Sequence, residues 1–148
     1  MRHLLTAIAI FLTIQAAHAE RRTEADWPEH DIIQFLGKPT KIIRQKERGC
    51  NEVFYQYDIH GPQVQIEFRC DHLNVAWILY KEPKFQKQDK QALALAESAI
   101  RRLTRTEAAE VALVNNGAKL EHYSVNDELE ASGSCGLWQC LLTFTEKP

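Results

Sequence analysis

Four cysteines, Cys50, Cys70, Cys135 and Cys140, carry the first candidate chemistry in this chain. A thiol pair does redox work when a helix start and a close partner hold one thiol as thiolate, the setting that Cys-x-x-Cys supplies. Cys135 and Cys140 are spaced Cys-x4-Cys in GSCGLWQCLLTF, behind a glycine turn and ahead of a strand-like run. That spacing reads as a staple closing a short loop through Gly136. Metal binding is the second candidate. Cys70-Asp71-His72 is compact, and His30, His60 and His122 could approach it. The paired spacings of strong sites, Cys-x2-Cys, His-x3-His or His-Glu-x-x-His, are missing, so no metal ligands and no cofactor are expected. Ser124, Ser132 and Ser134 lack a Gly-x-Ser-x-Gly setting. Asp127, Glu128 and Glu130 fall in a polar stretch with nothing apolar to raise a carboxyl pKa. No glycine-rich phosphate cradle follows a strand. The expectation is that there are no catalytic residues, with a small redox or metal-dependent enzyme as the contrasting class.

The compartment bears on the cysteines. Met1-Arg2-His3 is a positive opening, Leu4 to Ile14 is an apolar run, and Ala17-His18-Ala19 has the A-x-A form of a cleavage site. Together they read as a secretory signal peptide over 1–19, too short to span a bilayer comfortably. Residues 20–26 read as a loose polar tail and 27–148 as one domain, large enough for a real core. The net charge of −2 becomes −3 once Arg2 is removed, which gives no reason to expect nucleic acid. No later run is long and apolar enough for a transmembrane segment. The expected location is periplasmic or secreted, where cysteines usually pair.

The elements that must place these residues read as α+β. Asp26 can cap a short helix with Pro28 in its first turn, ended by Gly37 and Pro39, with Ile32, Ile33, Phe35 and Leu36 on its buried side. TKIIRQ, EVFYQYDI, PQVQIEFRC and LNVAWILYK follow as strands. A tight turn at His60-Gly61 sets Val53, Tyr55 and Tyr57 opposite Phe68, Ile66 and Val64. A tight turn at Asp71-His72 sets Leu73, Val75, Trp77 and Leu79 opposite Cys70, Phe68, Ile66 and Val64. Both registers put the apolar residues on one face of an antiparallel meander. KQDKQALALAESAIRRLTR has Leu93, Ala96, Ile100 and Leu103 at helical spacing and can cover that face. Thr104-x-x-Glu107 fits a capping box for a second helix over 107–114. NNG at 115–117 is a stop, AKLEHYSV a strand, and NDELEASGSCG a polar loop. LWQCLLTFTE closes the chain as a strand with Trp138, Cys140, Leu142 and Phe144 facing the core.

Two questions stay open in the sequence. Four cysteines allow three connectivities. Gly49 could bend the chain so that Cys50 bridges Cys70, leaving Cys135 to pair with Cys140. The rival joins Cys70 to Cys140 across the core and Cys50 to Cys135. The other question is the second face of the meander, which carries Glu52, Phe54, Gln56, Asp58, Gln65, Glu67, Arg69, Ala76, Ile78 and Tyr80. A solvated sheet face is usually polar, so Phe54, Ile78 and Tyr80 are exceptions. Either the C-terminal half covers them, or they form a binding patch with Glu67 and Arg69 at its rim, an aromatic anchor in a polar surround.

DIIQFLGKP, EVFYQY, VQIEF and LNVAWILY, over residues 27–81, together resemble the SmpA/OmlA (BamE-like) family of periplasmic and outer-membrane assembly domains. Leu36, Gly37, Pro39, Phe54, Tyr55, Tyr57 and Phe68 carry the likeness. The architecture also looks similar to that of beta-lactamase inhibitory proteins. The resemblance implies a protein-binding scaffold with no catalytic residue to transfer. The expected function is an exported, non-catalytic protein-binding module of the cell envelope whose partner is another exported or envelope protein. The alternative is an inhibitor or immunity protein that blocks an exported enzyme or toxin.

Overall fold

The computed structural model describes residues 27–47 and 49–148. The expected signal peptide, the polar tail and the Asp26 cap lie outside the described residues. The chain forms a short helix α1 (Glu29–Leu36), then β1 (Lys41–Glu47), β2 (Cys50–Asp58), β3 (Pro62–Phe68) and β4 (Leu73–Ile78). A 3-10 turn over Pro83–Phe85 leads into the long helix α2 (Gln86–Thr104) and the short α3 (Ala109–Asn115). The strands β5 (Leu120–Ser124), β6 (Leu129–Cys135) and β7 (Gln139–Glu146) close the chain. All strands join one seven-stranded antiparallel sheet in the order β1-β2-β3-β4-β7-β6-β5. The fold is α+β, with β7 inserted beside β4 and the β6–β5 hairpin extending the sheet outward.

Strict alternation places the core. Val53, Tyr55, Tyr57, Val64, Ile66, Phe68, Leu73, Val75, Trp77, Cys140, Leu142 and Phe144 share one face and are buried. They pack with Ala92, Ala96, Ala99, Ile100 and Leu103 of α2 and with Val111 and Val114 of α3. The small side chains of α2 let its backbone lie close to the sheet. Trp77 keeps its indole N–H satisfied inside this core by donating to Asn115 Oδ1 at 3.3 Å.

The β2–β3 register is the expected one: Val53, Tyr55 and Tyr57 pair with Phe68, Ile66 and Val64. The β3–β4 register is shifted by two. Leu73, Val75 and Trp77 pair with Phe68, Ile66 and Val64, because the chain turns over Arg69 to His72, with Arg69 N donating to His72 O at 3.0 Å. A shift of two keeps every side chain on its face, so the pattern alone could not detect it.

Four other expectations are corrected. The polar loop NDELEASGSCG holds β6, whose Leu129 and Ala131 are buried between polar neighbours. Trp138 is in the β6–β7 turn and 64% exposed, not on the core stripe, because strand parity stops where β7 begins at Gln139. Phe35 is 61% exposed, with the Arg102 guanidinium 5.4 Å from its ring; α1 buries Ile32 instead. The capping box does not form. Thr104 Oγ1 donates to Ile100 O at 2.8 Å, and Glu107 pairs with Arg101 at 3.0 Å.

The cysteines pair as Cys50–Cys70 and Cys135–Cys140, at opposite ends of the sheet. Cys70 lies past the end of β3, so it is released from the ladder parity that would turn it away from Cys50. Gly49, with φ of 88°, makes the β1–β2 turn beside it. In the chain-entropy account these crosslinks contribute about 3 and about 2 kcal/mol respectively.

Candidate recognition surface

The helices occupy one face of the sheet. The other face carries no helix among the described residues, because β6 and β7 lengthen the sheet rather than fold across it. Its central row, read across the strands, is Ile43, Phe54, Glu67, Asn74, Thr143 and Ser132. The next row is Lys41, Gln56, Gln65, Ala76, Leu141 and Ser134. Ile43 and Leu141 are 42% and 41% exposed on this face.

Arg69 organises the end of this surface nearest the Cys50–Cys70 crosslink. Its guanidinium lies 5.2 Å from the centre of the Phe54 ring, a cation–π distance. The same group is 3.5 Å from the buried Glu52, 3.9 Å from Glu47 and 3.3 Å from Glu67. Glu67 also accepts from Asn74 Nδ2 at 2.9 Å, and Asn74 Oδ1 accepts from the Thr143 hydroxyl at 2.7 Å. Glu52, Arg69, Glu67, Asn74 and Thr143 are thus joined across β2, β3, β4 and β7. Such a network fixes rotamers that a free surface would leave mobile. Three carboxylates surround one guanidinium, so the cluster itself carries a surplus of negative charge.

The five residues expected to form one patch separate into two groups. Phe54, Glu67 and Arg69 are adjacent. Ile78 is half-buried on the same face but two strands across and four residues further along. Tyr80 lies past the end of β4, where its hydroxyl donates to His60 O at 3.2 Å. Its ring stands 4.8 Å from Phe85 and 6.2 Å from His60, in a small aromatic cluster at the opposite end of the sheet. Sequence reasoning missed Ile43, Leu141, Asn74 and Thr143. Asn74 alternates with Leu73 and Val75 on β4 and faces Glu67, whereas Leu141 and Thr143 join the face only because β7 pairs with β4, and LLTF carried that information once its partner strand was known.

The remaining polar chemistry is dispersed. Among the described residues no group of three or more His, Cys, Asp or Glu comes together to hold a metal ion. His72 pairs with Asp71 at 2.6 Å and, by that hydrogen bond, pulls the Asp71 carboxyl below its usual value. His60 stacks at the other end of the sheet. His122 lies 2.8 Å from Glu130 on the far edge, and this hydrogen bond raises its pKa. Burial, then the neighbouring Tyr55, pushes the Tyr57 phenol up to about 12. Burial also raises Tyr55, helped by the hydrogen bond that its hydroxyl donates to Glu29 while accepting from Arg44 Nη2 at 3.1 Å. Ser132 Oγ accepts from His122 N at 3.0 Å, and Ser124 Oγ accepts from Lys147 Nζ at 2.7 Å. These hydroxyls serve the hairpins that carry them.

No protein-family model, no curated protein and no solved structure matches this chain.

Proposed function

We propose that this protein is an exported, non-catalytic protein-binding module that works through the open face of its sheet. One observation carries the reading: exposed Ile43 and Leu141 flank a side-chain network that ties four strands together. An aromatic anchor, Phe54, lies within the network. Apolar contacts inside a fixed polar surround are what an interface core and rim require. The two crosslinks support export, since disulfides persist in oxidising compartments. The resemblance of residues 27–81 to BamE-like domains supports a scaffold or accessory role in the envelope. The acid surplus around Arg69 favours a partner with basic groups opposite it.

The test is a paired set of surface variants. Ile43→Asp with Leu141→Asp should reduce capture of an exported partner from an envelope fraction by more than about tenfold. Leu113→Asp, at an exposed position of α3 away from this face, should capture the same partner as the unmodified protein. All three sites are exposed, so the far-ultraviolet circular dichroism should stay the same. Equal capture by the double variant would contradict the reading.

A further inference from the structure

The sheet end opposite the Cys50–Cys70 crosslink gathers an apolar tip and a set of cations. The β6–β7 turn has Leu137 and Trp138 at its apex, 81% and 64% exposed. The turn is held three ways. Gly136 N donates to Gln139 O at 2.7 Å, the Cys135–Cys140 crosslink closes its base, and Trp138 O accepts from Leu79 N at 2.7 Å. A turn fixed in this way loses little conformational freedom when it docks.

The chain leaving β4 beside this tip runs KEPKFQKQDK, four lysines against two acids. Both acids are engaged. Asp89 accepts from the backbone N–H groups of Tyr80 and Lys81, each at 2.9 Å, and Glu82 pairs with Lys84 at 3.0 Å. Lys81, Lys87 and Lys90 are exposed and have no ion pair among the described residues. Lys81 and Lys90 also line a cavity of about 400 Å³ with Leu79, Pro83 and Leu93.

We infer that this end docks on an anionic phospholipid bilayer. Leu137 and Trp138 enter the interface, and Lys81, Lys87 and Lys90 face the headgroup phosphates. A tip of two residues is too short to cross the hydrocarbon, but it reaches the headgroup layer, where an amphipathic indole is most stable. A convex, rigid tip suits a surface that yields around it, and cations beside the tip suit an acidic leaflet. The site is distinct from the open sheet face, so either can fail without the other.

The test uses the full protein, as processed by the cells that make it, with phosphatidylglycerol or phosphatidylcholine vesicles. Phosphatidylglycerol vesicles should sediment the protein; phosphatidylcholine should do so far less. Brominated acyl chains should quench its fluorescence, and Trp138→Phe should abolish that quenching while Trp27 and Trp77 remain. Leu137→Ser with Trp138→Ser should weaken sedimentation at least about tenfold. Lys81→Gln and Lys90→Gln should each weaken it about fivefold, the equivalent of about 1 kcal/mol per lysine near an acidic surface. Unchanged sedimentation of the Leu137→Ser/Trp138→Ser variant would overturn the inference, as would equal binding to both lipids or no sedimentation at all. Loss of a protein partner by that variant, without vesicle binding, would assign the tip to a protein pocket and overturn it as well.

Discussion

Glu110 sits on α3 almost wholly out of solvent, and its Oε1 has no hydrogen-bond partner among the described residues. Burial pushes its carboxyl pKa above the ordinary value of 4.5. The folded chain therefore holds this proton at pH values where the unfolded chain has released it. The penalty is complete above the folded pKa and fades as the pH falls towards 4.5. Glu110→Met keeps the length of the side chain and removes the carboxylate. It should raise stability by about 1–3 kcal/mol at neutral pH, the usual cost of an unsatisfied buried polar group. The gain should shrink in urea unfolding repeated near pH 4.5. A variant less stable than the parent at neutral pH would contradict this account. Nothing in the sequence marked Glu110. It falls within the expected second helix, and the packing of α3 against β6 and β7 takes it out of water.

At the scale of elements, what was legible depended on contrast between the two faces of a strand. PQVQIEF and LNVAWI alternate apolar and polar residues, so their pairing and their core face could be read directly. The slip of two residues between β3 and β4 could not, because that choice belongs to the length of the turn. ELEASGSC lacked contrast: Leu129 and Ala131 are buried, but serines and Gly133 fill the other positions, and the segment looks like a loop. Gly133 shows why the residue there must be small. A Cβ built on it would stand 2.0 Å from the Leu141 carbonyl oxygen of the neighbouring strand. Gly133→Ala should therefore destabilise the protein by at least about 2 kcal/mol through displacement of β6 from β7. Thermal unfolding reads this directly, and an unchanged midpoint would show that the hairpin can shift without cost. The Cys-x4-Cys spacing carried a further signal that strand parity obscured. Two cysteines facing each other across a hairpin leave Leu137 and Trp138 at its apex, where a side chain points away from the core.

The whole molecule is a sheet with one covered face, one open face and a crosslink at each end. The β1-β2-β3-β4 meander follows local sequence order and was legible on that account. Insertion of β7 beside β4 is a long-range choice that no local pattern encodes, and it makes the open face as wide as it is. Carboxylates gather around Arg69 at one sheet end, and lysines lie beside the Leu137–Trp138 tip at the other. The two proposals together orient the molecule: its lysine-rich end takes an acidic surface and its open face takes a protein. The most direct measurement of the central claim is site-specific photo-crosslinking in the cells that make the protein. A photoreactive side chain would be placed at position 43 or 141 on the open face, or at Gln91, exposed on α2. The account predicts one discrete adduct with an exported protein from positions 43 and 141 and none from position 91. Adducts from position 91 alone, or from none of the three, would contradict it.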